Sequence, residues 1–191
     1  MKKSKYIIVA GINGAGKSTL YQIQPELFAD TLRINADEIL KNMGGNWHKT
    51  SDNLKAMREE IKLVHDSLKI KKSIHIETTL AGSGQSQLNW IDEAHQNNFE
   101  VTLLYVTLDS SSKAIERVAK RVALGGHGIP DDIVRKRYIQ SHNNLPKIAS
   151  KSDNVFIYDN SDKFKMIYTR KNNIVFNNEL PQYPWVHIDN K

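Results

Sequence analysis

The chain has 191 residues, a formal net charge of +6, 39% apolar and 25% charged residues, and no cysteine. This length and composition are typical of one globular domain with a substantial core, and they exclude disulfide bonds and thiolate metal sites. No apolar run approaches the roughly 20 residues of a membrane span, and the run after the basic start is too short for a signal peptide, so we expect a cytoplasmic protein.

Short apolar strands alternate with helices along most of the chain. We predict strands at Lys5–Ala10, Thr31–Asn35, Ser73–Thr78, Val101–Thr107 and Asn154–Tyr158. Helices are predicted at Lys17–Gln24, Ser51–Lys69, Gln85–Asn97, Ser111–Leu124 and Asp131–Ser150. The second of these helices is predicted to have one apolar face formed by Leu54, Met57, Ile61, Val64 and Leu68. Because strands alternate with helices, the sequence predicts an α/β three-layer sandwich around a five-stranded parallel sheet.

The first strand runs directly into GINGAGKS, which fits the phosphate-binding pattern G-x-x-x-x-G-K-[ST] at each fixed position. Glycines let the backbone curl so that its N–H groups point at phosphate oxygens, and the next helix adds its positive N-terminal end. Lys17 would reach the β- and γ-phosphates as a catalytic residue, and the Ser18 hydroxyl would be the ligand of Mg²⁺. We therefore predict that ATP binds to Gly11, Asn13, Gly14, Ala15, Gly16, Lys17, Ser18 and Thr19. The alternative is a glycine-rich turn without a ligand.

Polar residues follow the next strands at the end of the sheet where ligands of parallel α/β proteins bind. Asp37 in RINADEIL is a candidate base for an attacking hydroxyl, and it also contacts the substrate in this interpretation. The alternative for Asp37 is a helix N-cap. Glu77 and Thr79 in SIHIETTL are candidates for binding the acceptor, and Glu77 is also a candidate for orienting Mg²⁺-bound water. The alternative for Glu77 is a strand-end carboxylate that faces solvent. Asp109 after the fourth strand is interpreted as the cap of the following helix.

Two helices joined by a glycine-rich stretch occupy residues 111–150, with arginines on both sides of the glycines. Arg117 and Arg121 are four residues apart and share one helix face. We interpret the segment as a lid, in which Arg117 and Arg121 are catalytic and Arg137 binds substrate by neutralising the transferring phosphoryl group. His127 between the helices is a candidate phosphate contact. The alternative is a solvated pair of basic helices.

The last strand of the parallel sheet ends in IYDNSD, where Asn160 is placed beside the adenine of the nucleotide. The pattern then changes to KMIYTRKNNIVFNN, whose two strand-like runs flank Lys171-Asn172-Asn173 and predict a β-hairpin. We expect residues 1–162 to form the kinase domain and residues 163–191 to pack on it as a hairpin and tail.

Taken together, GINGAGKST, INADE, IETTLAG, ERVAKRVALGGHGIP with RKRY, and YDNS resemble the zeta toxin family of P-loop kinases over about residues 5–162. The phosphate loop is specific only to the P-loop superfamily, and the combination of RVxxRVxxGGHxxP with YDNS narrows the resemblance to this family. The resemblance implies a P-loop NTPase fold of the nucleotide-kinase type. It also implies a kinase, since the characterised toxins use ATP and Mg²⁺ to phosphorylate the 3′-hydroxyl of UDP-N-acetylglucosamine, which blocks cell-wall precursor synthesis.

By this resemblance Asp37 matches the catalytic base, Lys17 and Ser18 the phosphate and magnesium contacts, Glu77 and Thr79 the substrate-side residues, and Arg117 the first lid arginine. The chain departs from the toxins at His127, which stands where they have a second lid arginine, so that Arg121, Arg135 or Arg137 would have to replace it. An arginine after the IEGT-like segment of the toxins is absent from IETTLAG. No antitoxin segment precedes the phosphate loop, so we expect any antitoxin to be a separate chain.

The sequence favours a kinase that transfers the γ-phosphoryl group of ATP to a hydroxyl of a small molecule, with UDP-N-acetylglucosamine as the candidate acceptor. A kinase of another hydroxyl, on a nucleoside, an antibiotic or an RNA end, stays open. The basic charge permits nucleic-acid binding, but no long basic run interleaves with aromatic residues to favour it. A nucleotide-binding module or slow NTPase is the third alternative, and the candidate base Asp37 and the lid argue against it.

Overall fold

Seven strands form one sheet in the computed structural model, which describes residues 3–126 and 128–188. They are β1 (Ser4–Ala10), β2 (Leu32–Ile34), β3 (Ile74–Thr78), β4 (Phe99–Thr107), β5 (Asn154–Asp159), β6 (Lys165–Lys171) and β7 (Ile174–Asn178). Their order is β2-β3-β1-β4-β5-β6-β7, with β1 to β5 parallel and β6 and β7 antiparallel. The predicted five-stranded parallel sheet and the hairpin are confirmed, and the hairpin extends the same sheet at one edge.

Helices cover both faces of the sheet. They are α1 (Ser18–Ile23), α2 (Ala36–Asn42), α3 (Thr50–Lys69), α4 (Gln85–Gln96), α5 (Ser111–Ala123) and α6 (Asp131–Lys151), with short 3₁₀ helices at Pro25–Leu27 and Leu180–Gln182. Side chains of β1 alternate between two cores: Tyr6 and Ile8 pack in the core that includes α3 and α4, and Ile7 and Val9 in the core that includes α1 and α5. The predicted three-layer sandwich is therefore confirmed. None of the helices in the described ranges is long and apolar enough to cross a membrane.

The buried face of α3 differs from the predicted one. Its buried residues include Ala56, Val64 and Leu68, whereas Leu54 and Met57 of the predicted apolar face are 48% and 50% exposed. Met57 in the N-terminal half of α3 lines an open cavity and is therefore not covered there. Ile61 is also 40% exposed, so only Val64 and Leu68 of the predicted apolar face are buried.

Arg170 on β6 joins the hairpin to the end of α6. This residue is only 3% exposed, and its Nη2 donates to the carbonyl oxygens of Ala149 and Ser152, the latter at 3.0 Å. The last carbonyls of a helix have no intrahelical partner, and the helix dipole favours a cation beside them. The buried guanidinium therefore stabilises the C-terminus of α6 against the sheet.

We expect Arg170→Met to lower the free energy of unfolding by about 2–3 kcal/mol, because two buried carbonyls lose a charged donor. Urea denaturation measures this change. Lys171→Met, at the exposed neighbouring position, is the matched control and should change stability by less than about 0.5 kcal/mol. Equal effects of the two substitutions would contradict the assigned role of Arg170.

Candidate active site

The phosphate-binding loop lies between β1 and α1, as the sequence predicts. Gly14 and Gly16 have φ values of +80° and +96°, a region that side chains other than glycine rarely adopt. A Cβ atom on Gly14 would lie 2.6 Å from the carbonyl oxygen of Ala114 on α5. The glycines of the sequence pattern therefore stand where the phosphate loop turns and where the backbone of α5 comes close to the loop.

Lys17 turns its amine back onto the loop. Its Nζ donates to the carbonyl oxygen of Gly11 at 2.8 Å and to that of Ile12 at 3.4 Å. Burial lowers the pKa of Lys17 to about 8, against the opposing effect of the Glu77 carboxylate. An anion at the loop would favour the charged amine, so the site is suited to phosphate.

A cavity of about 640 Å³ opens beside the loop at the carboxyl ends of β1, β2 and β3. The predicted site residues that line it are Asn13, Gly14, Gly16, Lys17, Ser18, Asp37, Glu77, Thr79, Arg121 and Arg137. The structure thus brings together residues that are up to 124 positions apart, as in the hydrogen bond from Arg137 Nη1 to Asn13 Oδ1 at 2.8 Å.

Five of the predicted site residues do not line this cavity: Gly11, Ala15, Thr19, Arg117 and Asn160. Gly11 and Ala15 are buried within the loop, and Thr19 belongs to the first turn of α1. Arg117 donates from Nη2 to the carbonyl oxygens of Asn160 at 2.7 Å and Ser161 at 3.3 Å. Its side chain therefore contacts the turn after β5. His127 lies outside the described residues, and exposed Arg135 is not among the cavity-lining residues.

Asp37 lies in the first turn of α2 and is not its cap. The cap is Asn35, whose Oδ1 accepts hydrogen bonds from the backbone N–H groups of Asp37 at 2.9 Å and Glu38 at 3.3 Å. The Asp37 carboxylate is therefore not used for capping and lines the cavity. The interpretation of Asp109 as a cap is likewise wrong, because Ser110 caps α5.

Glu77 is held in place by two neighbours and does not extend freely into solvent. Its Oε1 accepts hydrogen bonds from the Tyr21 hydroxyl at 3.0 Å and from Arg33 Nη2 at 2.5 Å. Arg33 also pairs with Glu38 through Nη1 at 2.8 Å. Since Tyr21 belongs to α1 and Arg33 to β2, this network fixes the Glu77 carboxylate relative to both the phosphate loop and Asp37.

Glu60 on α3 is a cavity residue that the sequence reasoning missed. Burial and, to a smaller extent, the nearby charge of Asp37 raise the pKa of Glu60 to about 7, against the opposing effect of a hydrogen bond from the backbone of Ala36. A signal was present in the sequence, because Glu60 interrupts the four-residue spacing of Ala56, Val64 and Leu68, all of which are buried. The other missed lining residues are Asn35, Ala36, Leu40, Asn53, Ala56, Met57 and Gln87.

The cavity is divided by charge. The cationic groups come from the phosphate loop and from two helices: Lys17 from the loop, Arg121 from α5, and Arg137 from α6, whose Nη1 donates to Asn13 of the loop. Carboxylates of Asp37, Glu60 and Glu77 come from α2, α3 and β3 on the other side. Such an arrangement suits a phosphoryl group beside the cations and a hydroxyl beside the carboxylates.

Known proteins resemble this chain in sequence. The sequence profile of the zeta toxin family matches residues 1–179. An uncharacterised protein of Haemophilus influenzae is 33% identical over 136 residues, which cover 71% of this chain and 94% of that protein.

Solved structures share the fold at low sequence identity. A chain from the PezAT chromosomal toxin-antitoxin system of Streptococcus pneumoniae matches with a TM-score of 0.63 and 18% identity, over 88% of this chain and 72% of that chain. A chain from AvrRxo1-ORF1:-ORF2 with ATP matches with a TM-score of 0.80 and 12% identity, over 96% of this chain and 63% of that chain. At this identity the similarity supports the same α/β fold.

We expect the free energy of unfolding of Glu60→Gln to increase relative to that of the wild type as the pH rises from 5 to 8. Glu60 releases its proton near 4.5 in the unfolded chain and near 7 in the folded one, so the folded protein binds more protons in this window. The contribution of Glu60 to stability therefore falls as the pH rises through the window, whereas glutamine does not titrate.

Urea denaturation of both proteins at pH 5 and pH 8 measures this difference. The matched control is Glu59→Gln, which changes the adjacent carboxylate outside the cavity lining. A stability difference between Glu60→Gln and wild type that stays constant with pH would refute the raised pKa.

Proposed function

The chain belongs to the zeta toxin family, and we propose that it is an ATP- and Mg²⁺-dependent kinase that phosphorylates a hydroxyl of a small molecule. The observation that carries the proposal is the charge-divided cavity. Lys17 of the phosphate loop is among its cationic groups, and Asp37, whose carboxylate does not cap a helix, is among its anionic groups. A nucleotide switch or simple NTPase requires no carboxylate for an acceptor hydroxyl. A cavity of about 640 Å³ is also within the range of small-molecule sites.

Binding of the phosphates is assigned to the loop and the lid. Backbone N–H groups of the loop would donate to the phosphate oxygens, and Lys17 Nζ would exchange its contacts with Gly11 and Ile12 for the anion. Arg121 and Arg137 would neutralise the charge that develops on the transferring group. Because Arg137 donates to Asn13 in the loop, it is already held at the phosphate side of the cavity.

Activation of the acceptor is assigned to the carboxylate side. Asp37 would accept the proton of the hydroxyl as its oxygen attacks the γ-phosphorus, and the bond from that phosphorus to the β,γ-bridging oxygen would break. Glu77, fixed by Tyr21 and Arg33, would orient the acceptor through a hydrogen bond. Thr79 would supply a further hydroxyl to the acceptor.

The residues present are suited to Mg²⁺ that arrives with the nucleotide. Ser18 supplies a hydroxyl oxygen in the cavity, and no group of three or more His, Cys, Asp or Glu residues within the described ranges forms a cage for a metal ion. Mg²⁺ is commonly held by phosphate oxygens, water and few protein ligands. When bound, it neutralises charge on the β- and γ-phosphates.

UDP-N-acetylglucosamine is the first acceptor to test, because it is the acceptor of the characterised members of the family. The departures at His127 and in IETTLAG keep a nucleoside, an antibiotic or an RNA end as alternatives. We also propose a separate antitoxin chain as a partner, by analogy with the PezAT toxin-antitoxin system.

The test is ³¹P NMR of the purified protein with ATP and Mg²⁺, with and without UDP-N-acetylglucosamine. A phosphomonoester resonance that appears only with the sugar nucleotide would support both the reaction and the acceptor. ADP formed at the same rate in both tubes, with no ester after a screen of hydroxyl acceptors, would indicate a hydrolase. No consumption of ATP under any condition would contradict the proposed kinase.

We expect Asp37→Asn to lower phosphoryl transfer at least about 100-fold while ATP affinity changes little, because only proton removal from the acceptor is lost. Transfer is measured by ADP release and ATP affinity by calorimetry. Glu38→Gln removes the neighbouring carboxylate, which pairs with Arg33, and serves as the matched control with near-normal transfer. Near-normal turnover of Asp37→Asn would show that another group is the base.

We expect ATP binding at pH 8 to take up protons, up to about half a proton per ATP. With a pKa of about 8, roughly half of the Lys17 amines are neutral at this pH, and a bound phosphate raises that pKa. Calorimetry in two buffers with different ionisation enthalpies measures the uptake. Lys17→Arg should abolish it, since guanidinium stays protonated. Equal uptake by both proteins would assign the proton to another group.

A further inference from the structure

Resting on the proposed kinase function, we propose that Gln140 and Asn144 of α6 are positioning residues for the acceptor. They hold the loop of residues 79–84, called the acceptor loop below, so that the Thr79 hydroxyl is presented to the acceptor. Thr79 lines the cavity, whereas Gln140 and Asn144 do not. The two α6 residues therefore act on the acceptor only through the loop.

Leu80, the residue after Thr79, has a backbone conformation that is costly for a residue with a Cβ atom. Its φ is +52°, in the left-handed region, and the residue is 0% exposed. Residues other than glycine keep such a conformation where their surroundings impose it, often beside functional sites. The shape of the acceptor loop is therefore imposed by its neighbours.

Asn144 and Gln140 supply the contacts that impose this shape. Asn144 Nδ2 donates to the carbonyl oxygens of Leu80 at 2.8 Å and Gly82 at 3.1 Å. The backbone N–H of Gly82 donates to Gln140 Oε1 at 3.1 Å. A Cβ atom on Gly84 would lie 2.9 Å from Asn144 Cγ, so the end of the loop also approaches this side chain closely. Since Asn144 is only 4% exposed, its amide is withdrawn from solvent and bound to the loop.

The two threonine hydroxyls at the start of the loop differ in their partners. Thr78 Oγ1 accepts hydrogen bonds from the backbone N–H of Leu80 at 3.1 Å and from Gln87 Nε2 at 3.4 Å. The Thr79 hydroxyl has no hydrogen-bond partner within residues 3–126 and 128–188. The left-handed turn thus commits the first hydroxyl to the protein and leaves the second for an acceptor.

The same face of α6 also reaches the phosphate loop. Arg137, seven residues before Asn144, donates from Nη1 to Asn13 Oδ1 at 2.8 Å. Residues at spacings of three, four and seven share one face of an α-helix, so Arg137, Gln140 and Asn144 form one row. At about 1.5 Å of rise per residue, this row spans about 10 Å. One helix therefore sets the position of Thr79 relative to the loop assigned to the phosphates of ATP.

Gln140 is the residue to change first, because it is half-buried and its removal costs the loop a single hydrogen bond. Gln140→Ala deletes the acceptor of the Gly82 N–H, and Gln140→Glu retains an oxygen acceptor. The matched control is Ile139→Ala, which truncates the neighbouring side chain that is 60% exposed. Amide hydrogen exchange of each full-length protein, followed by NMR without ligand, measures the protection of Gly82.

We expect Gln140→Ala to raise the exchange rate of the Gly82 amide about tenfold, as for the loss of one hydrogen bond, and to leave the amides of β3 unchanged. Gln140→Glu and Ile139→Ala should exchange like the wild type. An unchanged rate in Gln140→Ala would show that the loop is held by other contacts and would overturn the proposal. Faster exchange throughout β3 as well would reduce Gln140 to general structural support and would also overturn it.

Steady-state kinetics tests the effect on the acceptor, with UDP-N-acetylglucosamine as the probe. We expect Gln140→Ala to raise the KM of the sugar nucleotide about fivefold and to leave the KM of ATP unchanged, because only the acceptor loop is loosened. Gln140→Glu should restore the wild-type value. Asn144→Ala removes two hydrogen bonds and should give the same pattern more strongly, but Gln140 decides the outcome even if that variant does not fold. Equal changes in both KM values, or an unchanged acceptor KM with a loosened loop, would contradict the proposal.

Failure of the proposed kinase function has a different signature. It would appear in the wild-type protein, as lack of ATP binding or lack of phosphoryl transfer, before any variant is compared. If UDP-N-acetylglucosamine alone is not phosphorylated, the first hydroxyl compound that gives a phosphomonoester in the ³¹P NMR screen replaces it as the probe. Failure of the positioning role alone would appear only in the comparison of Gln140→Ala with the wild type.

Discussion

The central position of β1 between two parallel strands is the constraint on which the candidate site depends. Ala10 at its end pairs with Thr78 of β3 and with Tyr105 of β4. The next residue, Gly11, donates from its N–H to the Thr78 carbonyl at 3.1 Å, and a Cβ there would lie 2.4 Å from the Val106 carbonyl oxygen. The phosphate loop is thus enclosed by two strands, and each strand brings different residues to it. A register shift of one residue would turn the side chains of β1 to the opposite faces and move the loop.

Electrostatic compensation explains how so many charged groups are accommodated around one cavity. Burial alone disfavours the charged form of each group, and opposite charges nearby offset that cost. Lys17 shows both effects, because burial lowers its pKa while Glu77 and Asp37 raise it. For Glu60 the two effects act in the same direction, since burial and the negative charge of Asp37 both raise its pKa. The cavity therefore combines a carboxylate fixed by Arg33, that of Glu77, with the Glu60 carboxyl, whose pKa is raised to about 7.

Local sequence patterns predicted the fold and the phosphate loop, because strand periodicity and the glycine spacing follow from contacts between near neighbours. Asp37 was found because a parallel sheet brings polar residues together at its carboxyl ends. The cap at Asn35 was missed, since either of two neighbouring polar side chains can cap a helix. Glu60 was missed because its spacing relative to Ala56 and Val64 indicates only that it shares their helix face, whereas tertiary packing determines that this face borders the cavity at Glu60. The same applies to Arg117, whose partners at Asn160 and Ser161 lie 43 and 44 residues away.

The contact between Arg170 and the end of α6 also bears on the position of Arg137. The C-terminal part of α6 is anchored, because Ile148 is buried in the core and Arg170 bonds to Ala149 and Ser152. Arg137 lies near the other end of the same helix, which runs from Asp131 to Lys151. The part of the helix around Arg137 is packed as well, because Val134 is 1% exposed and the Tyr138 hydroxyl donates to the Leu108 carbonyl at 3.1 Å. The hydrogen bond from Arg137 to Asn13 at 2.8 Å is therefore made from a helix that is held along its length. A change at the buried end of α6 would thus be transmitted through a rigid helix to the phosphate loop.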